Sequence, residues 1–286
     1  DIATYGYSMK ADFWAFRPFY PLILWSLGSP LTGFLGKWES FLIAGVFWNI
    51  FAFSLAAIYL YKLTKLLIDE ETAYLTVLFL SMFPATVFFT AVYPESTYFL
   101  LIVASFYYLE KGRVPLAVLL ATLAGFTRPE GFLLFIPFVW KAFTLKGNEK
   151  LKSLLGSMTV AYTLPAFMLY GYVITGDPFI SFTVESSWPK ATLWQCLVFG
   201  FREGLDKLTV YSISTIVLVI AILSVVLYFF HFRVSKWGFS VASKLDRHDK
   251  RMPYYLWTIL LLGVFLYTGE YAGFSRYASI LFPILW

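Results

Sequence analysis

The chain has 286 residues, of which 59% are apolar and only 14% are charged, and its mean hydropathy is +0.72. This composition excludes an ordinary water-soluble fold, and the 21% of aromatic residues suits helices whose ends lie among lipid headgroups. The net charge of +5 does not indicate nucleic-acid binding, because the basic residues lie in short runs between apolar segments. We therefore predict an integral membrane protein.

Apolar segments follow one another along the whole chain. In lipid, an apolar run of this length satisfies its own backbone hydrogen bonds only as a helix. Segments 97–109 and 131–144 are short, but a re-entrant turn would hold the charged residues of 110–113 at membrane depth, so we favour crossing. We predict an all-α, multi-pass transmembrane helical bundle that forms a single domain over residues 1–286. The segments lie at residues 40–61, 73–92, 97–109, 114–127, 131–144, 154–175, 208–230 and 253–269, and a last one starts near 278.

The alternating connections between these segments differ in positive charge. If residues 1–39 lie on side one, fourteen of the 22 Lys and Arg residues lie on side two and eight on side one. Because positive charge is retained in the cytoplasm, side one is predicted to be extracytoplasmic. The membrane would be the plasma membrane of a prokaryote or the endoplasmic reticulum of a eukaryote. The side-two residues are Lys62, Lys65, Lys111, Arg113 and the basic residues of 141–152 and 233–251.

The beginning and the end of the chain carry two further expectations. Residues 1–7 contain neither an initiator Met nor a signal-peptide pattern, and the apolar run 279–286 is too short to cross a bilayer. We therefore expect a fragment that lacks the first helix and the end of the last. Residues 16–25 mix apolar, aromatic and basic side chains, which predicts an extracytoplasmic interfacial helix that lines a groove for a lipid tail.

Six short polar motifs interrupt the hydrophobic pattern, and all of them map to side one. Prolines beside charged residues at helix ends free backbone groups at membrane depth, which is tolerated only inside protein or beside a water-filled cavity. Their convergence on one face is the main functional signal in the sequence. The motifs are Asp12 to Tyr20, Tyr93 to Ser96, Thr127 to Gly131, Gly176 to Pro178, Glu185 to Trp188 and Ser275 to Tyr277.

Each motif also has an ordinary explanation when it is taken alone. Arg128 or Arg276 could be a snorkelling cation at a helix end, and residues 176–178 read as a helix stop and turn. Together, however, the carboxylates and arginines are difficult to dismiss, because the positive-inside rule disfavours arginines on side one without a partner. Three tyrosines belong by default to the aromatic belt at the interface: Tyr20, Tyr93 and Tyr277.

Several kinds of chemistry are missing from this face. His231 and His248 fall in a cytoplasmic connection, no Asp-x-Asp motif occurs, and Cys196 is the single cysteine. We therefore expect neither a metal site nor a cofactor. What remains is a carboxylate that takes a proton from a hydroxyl and an arginine that binds a phosphate. A sugar carried on a lipid phosphate fits these groups, because it lies in the membrane and leaves as a phosphate.

The order and spacing of the motifs are similar to those of a known family. The chain resembles the GT-C glycosyltransferases related to the second mannosyltransferase of GPI-anchor assembly, and the likeness runs along essentially the whole chain. The matching stretches are Ile2-Ala3-x-x-Gly6-Tyr7, Phe16-x-Pro18-x-Tyr20-Pro21, Phe83-Pro84-Ala85-x-x-Phe88-Phe89, Tyr93-x-Glu95-Ser96, Thr127-Arg128-Pro129 with Gly131, and Arg276-Tyr277.

This resemblance implies an inverting transferase that moves mannose from polyprenyl- or dolichyl-phosphate mannose to a glycolipid or protein acceptor on the extracytoplasmic side. Prokaryotic members without GPI anchors exist, so the acceptor and any accessory membrane subunit stay open. In that family the presumed base is an aspartate a few residues before the Ile-Ala-x-x-Gly-Tyr stretch, a position that precedes Asp1 here. Arg17 departs from the family pattern, so the resemblance implies no role for it.

We assign the following expected roles on side one. Arg128 or Arg276 would hold the donor phosphate. Asp12 and Glu95 are the catalytic candidates, since either could assist the upstream base, and Glu130 would help to position the acceptor. The other substrate-binding candidates are Arg17, Tyr20, Tyr93, Ser96 and Tyr277.

Two rival functions remain open on the sequence alone. A membrane transporter or lipid flippase would place charges deep within its helices, whereas segments 40–61, 154–175 and 208–230 carry no charged residue before their cytoplasmic margins. A non-catalytic membrane scaffold would tolerate the joint loss of Arg128 and Arg276, which a phosphate site would not.

Overall fold

The computed structural model describes residues 2–7, 11–82, 86–187 and 250–268, and all regular structure within them is helical. Short 3-10 turns cover Ala11–Ala15, Ser29–Gly33 and Pro129–Leu134. The α-helices are α1 Ile2–Tyr5, α2 Phe19–Gly28, α3 Lys37–Leu67, α4 Glu70–Met82, α5 Val87–Thr90, α6 Glu95–Glu110, α7 Val114–Gly125, α8 Phe135–Thr144, α9 Gly147–Ala161, α10 Thr163–Thr175, α11 Ile180–Ser186 and α12 Met252–Thr268.

The chain divides into two compact units. The first comprises residues 1–77 and 87–188, and the second comprises 78–86 and 189–286. Within the second unit, α12 buries Tyr254 and Trp257 completely. All side chains discussed below as candidate site residues with a described position belong to the first unit.

Helices α3 and α6 run parallel and in fixed register. The indole Nε1 of Trp48 donates to Thr97 Oγ1 at 2.8 Å, and the hydroxyls of Tyr59 and Tyr108 are also 2.8 Å apart. Each pair is separated by 49 positions in sequence, so equal steps along both helices keep the same partners together. Parallel helices place the beginning of α6 beside the middle of α3.

Helices α6 and α7 form an antiparallel hairpin. Ser105 in α6 donates its hydroxyl to the carbonyl of Ala117 in α7 at 3.0 Å. The chain that leaves α7 therefore returns to the level at which α6 begins. A second antiparallel pair joins α8 to α9, where Ser153 donates to the carbonyl of Phe138 at 2.7 Å.

Two long stretches are apolar enough to cross a membrane. They are Lys37–Leu67, in which a stretch of 18 residues has mean hydropathy 2.1, and Gly147–Thr175, which comprises α9 and α10 and in which the corresponding value is 1.3. Helix α3 exposes Phe47 and Phe51 on its outer surface, which is the arrangement expected of a helix that contacts lipid. Helix α7 and residues Met252–Val264 are shorter apolar helices.

The structure confirms the prediction of an all-helical chain for the described residues and corrects two segments. Residues 73–92 were expected as one segment, but α4 ends at Met82 and a separate short helix, α5, begins at Val87. Residues 131–144 begin instead within the 3-10 turn Pro129–Leu134, in which Gly131 packs directly against the backbone of α7. The segments at 208–230 and from 278 lie outside the described residues.

The predicted helix stop at residues 176–178 is confirmed. Helix α10 ends at Thr175, and Gly176 adopts a left-handed conformation with φ of 78°. The carboxylate of Asp177 then accepts a hydrogen bond from the backbone N–H of Phe179 at 2.8 Å. This turn leads into α11. The stretch 16–25 also contains a helix, although α2 begins only at Phe19.

Candidate active site

Arg128 lies between two carboxylates at the end of the first unit where α6 begins. Its Nη1 is 2.9 Å from Glu95 Oε1, and its Nη2 and Nε are 3.2 and 3.3 Å from the two oxygens of Glu130. The side chains of Arg128, Glu95 and Glu130 are 9%, 1% and 12% exposed. The guanidinium is thus held by one buried carboxylate and by a fork with a second one.

The local fold explains why these three residues meet. Glu95 is the first residue of α6, where a negative charge is stabilised by the helix dipole. Arg128 follows α7 in extended conformation, and its backbone N–H donates to the carbonyl of Ala124 at 3.0 Å. Gly131 lies so close to the end of α7 that an added Cβ would be 2.6 Å from the Ala124 oxygen. The hairpin and this close approach bring residues 128 and 130 to the beginning of α6.

A polar side chain that the sequence analysis missed holds the turn that precedes Glu95. Asn49, buried in the middle of α3, donates from its amide to the carbonyls of Ala91 and Tyr93, the latter at 2.9 Å. It fixes the turn that immediately precedes α6. Ser96 contributes to the same turn, because its hydroxyl donates to the carbonyl of Phe89. The signal that could have found Asn49 is a lone amide within the otherwise apolar segment 40–61.

Arg17 is a second buried cation at this end of the first unit. It is 2% exposed, and its Nε and Nη1 atoms have no hydrogen-bond partner among the described residues. Its guanidinium carbon lies 4.2 Å from the ring centroid of Phe167. Burial lowers the pKa of Arg17 to about 10, a shift that the charges of Glu185, Glu130 and Tyr7 oppose. Arg17 therefore remains a cation near neutral pH with unused donor capacity.

An aromatic cluster surrounds Arg17 on the side of α10. Trp14 is 2% exposed, and its ring lies 4.9 Å from Tyr7, 5.4 Å from Tyr170 and 5.9 Å from Phe167, centroid to centroid. The hydroxyl of Tyr7 donates to the carbonyl of Phe16 at 2.7 Å, and burial raises its pKa above the ordinary value. These contacts hold the N-terminal residues against α10 and fix the position from which Arg17 extends.

Tyr20 links the N-terminal helices to Arg128 and its two carboxylates, Glu95 and Glu130. The backbone N–H of Phe19 donates to the carbonyl of Phe126 at 2.9 Å, which joins the beginning of α2 to the end of α7. Tyr20 is buried, and burial raises the pKa of its hydroxyl, with Asn49 opposing the shift and Glu95 adding to it. Although this hydroxyl interacts electrostatically with Asn49, it makes no hydrogen bond of good geometry with a described residue.

The acidity of Glu130 is set by two opposing effects. Burial raises the pKa of its carboxyl, but the charge of Arg128 and the hydrogen bonds from Arg128 outweigh burial and lower it, with Arg17 adding to the effect. Glu130 is therefore an anion near neutral pH. Within the described part of the chain, no group of three His, Cys, Asp or Glu residues could hold a metal ion.

The structure places most of the predicted site residues at one end of the first unit. Arg128 contacts Glu95 and Glu130 directly, and Glu185 of the motif at 185–188 interacts with Arg17. Tyr93 is half-exposed, and its ring lies 6.0 Å from Phe88. Asp12 is exposed in the turn Ala11–Ala15 and has no ion pair with a described residue. Arg276 and Tyr277 lie outside the described residues.

Comparisons with known proteins bear on the fold and on the family. The fold is similar to that of an Archaeoglobus fulgidus oligosaccharyltransferase, solved as a complex with Zn and sulfate, at 13% identity and a TM-score of 0.52. The likeness covers 95% of this chain but only 40% of that one. A search of curated proteins found no match. Residues 1–183, well over half of the chain, match the family described as Mannosyltransferase (PIG-V). The chain therefore belongs to the PIG-V mannosyltransferase family, as its motifs predicted.

Proposed function

We propose that this protein transfers mannose from a polyprenyl- or dolichyl-phosphate donor to a hydroxyl of a glycolipid or protein, on the extracytoplasmic side and with inversion. Family membership supports mannosyl transfer. The observation that carries the donor class is the buried guanidinium of Arg17, in which two nitrogens, Nε and Nη1, have no hydrogen-bond partner within the part of the chain that the structure describes.

A phosphate explains the state of Arg17 better than a structural role does. A buried cation with unsatisfied donors lowers stability, because neither water nor protein replaces its lost hydration. The charges of Glu185 and Glu130 offset part of this cost, but neither carboxylate gives Nε or Nη1 a hydrogen bond. Phosphate oxygens match the geometry of the guanidinium fork and would satisfy both donors at once. We therefore assign the donor phosphate to Arg17.

Arg128 takes a different role in this proposal. Both sides of its guanidinium are occupied by Glu95 and Glu130, so it lacks the donor capacity that Arg17 retains. Its charge is offset by these two carboxylates, so the cation left for the phosphate is Arg17. Glu95 and Glu130 are positioning residues that hold Arg128, and they line the place where the acceptor hydroxyl would approach. Arg276 stays a second candidate for the phosphate.

The reaction would be a single displacement at the anomeric carbon of mannose. The acceptor oxygen forms a bond to this carbon, its proton passes to a carboxylate base, and the bond from carbon to phosphate oxygen breaks. The lipid phosphate departs with one more negative charge than it had in the donor, which the cation of Arg17 stabilises. Asp12 and the expected aspartate upstream of Asp1 are the candidate bases, because Glu95 and Glu130 are bound to Arg128.

The remaining polar and aromatic residues complete the proposed site. Tyr20 and Tyr93 would contact the sugar or the prenyl chain, and Tyr277 would join them. Ser96, whose hydroxyl is bound to the Phe89 carbonyl, would act by holding the turn before Glu95. We propose that this end of a multi-pass bundle faces the extracytoplasmic side, because the more basic connections lie at the other end.

The test is donor selection by the purified full-length protein. We expect mannose transfer from mannosyl-phosphoryl polyprenol and none from a nucleotide-linked mannose. Arg17→Gln should raise KM for the lipid donor and lower kcat, whereas Lys150→Gln, which removes an exposed charge in the connection at 141–152, should change neither. Transfer from the nucleotide donor, or no binding of any polyprenyl-phosphate sugar, would refute the assignment.

A further inference from the structure

A second cationic cavity lies at the opposite end of helix α6 from Glu95. It has a volume of about 440 Å³, and its walls come from the last turns of α3 and α6 and from the connection to α7. Helix α6 runs from Glu95 to Glu110, so this cavity is about 22 Å from the Arg128 cluster along the helix. It therefore belongs to a different site. The lining residues are Tyr59, Lys62, Tyr107, Tyr108, Lys111 and Arg113.

The three tyrosines form a compact aromatic wall. The ring centroids of Tyr59, Tyr107 and Tyr108 lie between 5.4 and 5.7 Å from one another. The hydroxyls of Tyr59 and Tyr108 share a hydrogen bond of 2.8 Å. All three tyrosines are half-buried, so their positions are set by packing between α3 and α6. The wall combines polar hydroxyl groups with rings that exclude water.

Each tyrosine ring carries one cation. Lys62 Nζ is 5.6 Å from the centroid of Tyr59, Lys111 Nζ is 5.8 Å from Tyr107, and Arg113 Cζ is 6.0 Å from Tyr108. The three cations are exposed, but each lies within about 6 Å of its ring, so three positive charges are grouped around one cavity. Three cations that line one cavity repel one another, so the arrangement favours an anion between them.

No carboxylate lines this cavity, and nearby carboxylates are engaged with other lysines. Glu110 accepts from Lys141 at 2.8 Å, and Glu70 is 2.9 Å from Lys65. The described lining thus carries three positive charges and no negative one. An anion from outside the chain is the natural counter-charge.

The surroundings favour a lipid headgroup as this anion. Leu66 lies one turn after Lys62 on the same face of α3 and is exposed, so apolar surface continues directly from the cavity. The volume is that of a ligand site and exceeds the needs of a single free phosphate. Basic pockets between transmembrane helices on the cytoplasmic side are suited to anionic headgroups, and tyrosine is favoured at the interface.

We propose that this cavity binds the phosphate-bearing headgroup of an anionic membrane phospholipid. Lys62, Lys111 and Arg113 bind the phosphate oxygens, and the hydroxyls of Tyr59 and Tyr108 contact the glycerol or ester oxygens. The site is independent of mannosyl transfer, since it shares no residue with the Arg17 and Arg128 clusters. A bound headgroup would hold the α6–α7 connection against α3 at this end of the first unit.

The experiment measures lipid binding by the purified full-length protein in neutral detergent, by native mass spectrometry and by the thermal midpoint of unfolding. Phosphatidylglycerol should bind and raise the midpoint, while phosphatidylcholine should bind at least about tenfold more weakly. The double variant Lys111→Gln/Arg113→Gln should weaken phosphatidylglycerol binding by about tenfold or more, because each cation near the surface contributes to attraction of anionic lipid. The single variant Lys62→Gln should weaken it less.

The matched control is Lys146→Gln/Lys150→Gln. It removes the same number of charges from exposed positions on the same predicted side, outside the cavity, and should leave binding unchanged. Equal losses in both double variants, or equal binding of the two lipids, would overturn the proposal. If millimolar inorganic phosphate raises the thermal midpoint as much as phosphatidylglycerol does, the cavity binds free phosphate and the lipid assignment is overturned. If the double variant fails to fold, the single variant Lys62→Gln is the test. Phosphatidylglycerol binding by Lys62→Gln equal to that of the wild type would then overturn the proposal.

Discussion

The guanidinium of Arg128 donates a hydrogen bond to Glu95 at 2.9 Å, although the two residues are 33 positions apart. Glu95 begins α6, and Arg128 follows α7, so this contact closes the hairpin at its open end. The pair is almost completely buried. The pair therefore matters for stability mainly because removal of one partner leaves the other as a buried charge without a counter-charge.

Removal of Arg128 should destabilise the protein strongly. Arg128→Met leaves Glu95 and Glu130 as buried charges without their cation, which costs about 3–5 kcal/mol of unfolding free energy. The double variant Glu95→Gln/Arg128→Met should lose less than the sum of the single variants, because the two residues act as a pair. The unfolding free energies of the single and double variants are measured by denaturation in detergent. Lys152→Met breaks the exposed pair with Glu149 and should cost less than about 1 kcal/mol. Equal losses for Arg128→Met and Lys152→Met would contradict the buried pair.

Replacement of Arg17 should separate stability from activity. Arg17→Met removes a buried cation whose Nε and Nη1 lack hydrogen-bond partners among the residues that the structure describes, so the midpoint of thermal unfolding should stay level or rise. Mannose transfer should fall by about a hundredfold or more, since a charge that stabilises the leaving phosphate is lost. Arg17→Lys should keep part of the activity, because the charge remains but the fork does not. A large fall in stability that accounts for the lost activity would show that Arg17 is structural.

The pH dependence of stability should report the state of Glu130. Its pKa is lowered from the ordinary value of 4.5 by Arg128, so the pair stabilises the fold at pH above about 4.5. This contribution is lost as pH falls through the lower value in the folded protein. The stability difference between wild type and Glu130→Gln should thus be constant from pH 7 to about 5 and shrink below it. A difference that grows on acidification would have the wrong sign for this pair.

Gly131 should tolerate no side chain. In Gly131→Ala the new Cβ would lie 2.6 Å from the Ala124 oxygen and the Gly125 nitrogen, both backbone atoms that cannot rotate away. We expect a loss of about 1–3 kcal/mol from overpacking, together with reduced transfer because Arg128 and Glu130 shift. Gly33→Ala adds the same atom where nothing lies within 4 Å and should be neutral. Identical unfolding midpoints for the two variants would disprove the close approach.

Much of the architecture follows from local sequence. The apolar runs predicted α3, α6 and α7 within a few residues, and the prediction of a helix stop at 176–178 is confirmed by the left-handed Gly176. The family also follows from short motifs whose order does not depend on the fold. The interruption of segment 73–92 between Met82 and Val87 was not predicted. The turn between α5 and α6 was not predicted either, because it is held by Asn49, which is distant in sequence.

The sequence by itself thus determined the helices, the basic and acidic distribution between the connections, and the family. Only the tertiary structure decided that Arg128 is shared by two carboxylates while Arg17 is buried with unused donors. The reason is physical: a helix satisfies its backbone hydrogen bonds from nearby residues, so local pattern predicts it. The solvation and the partners of a charge instead depend on which distant helices pack around it, and this information does not reside in any single stretch of chain.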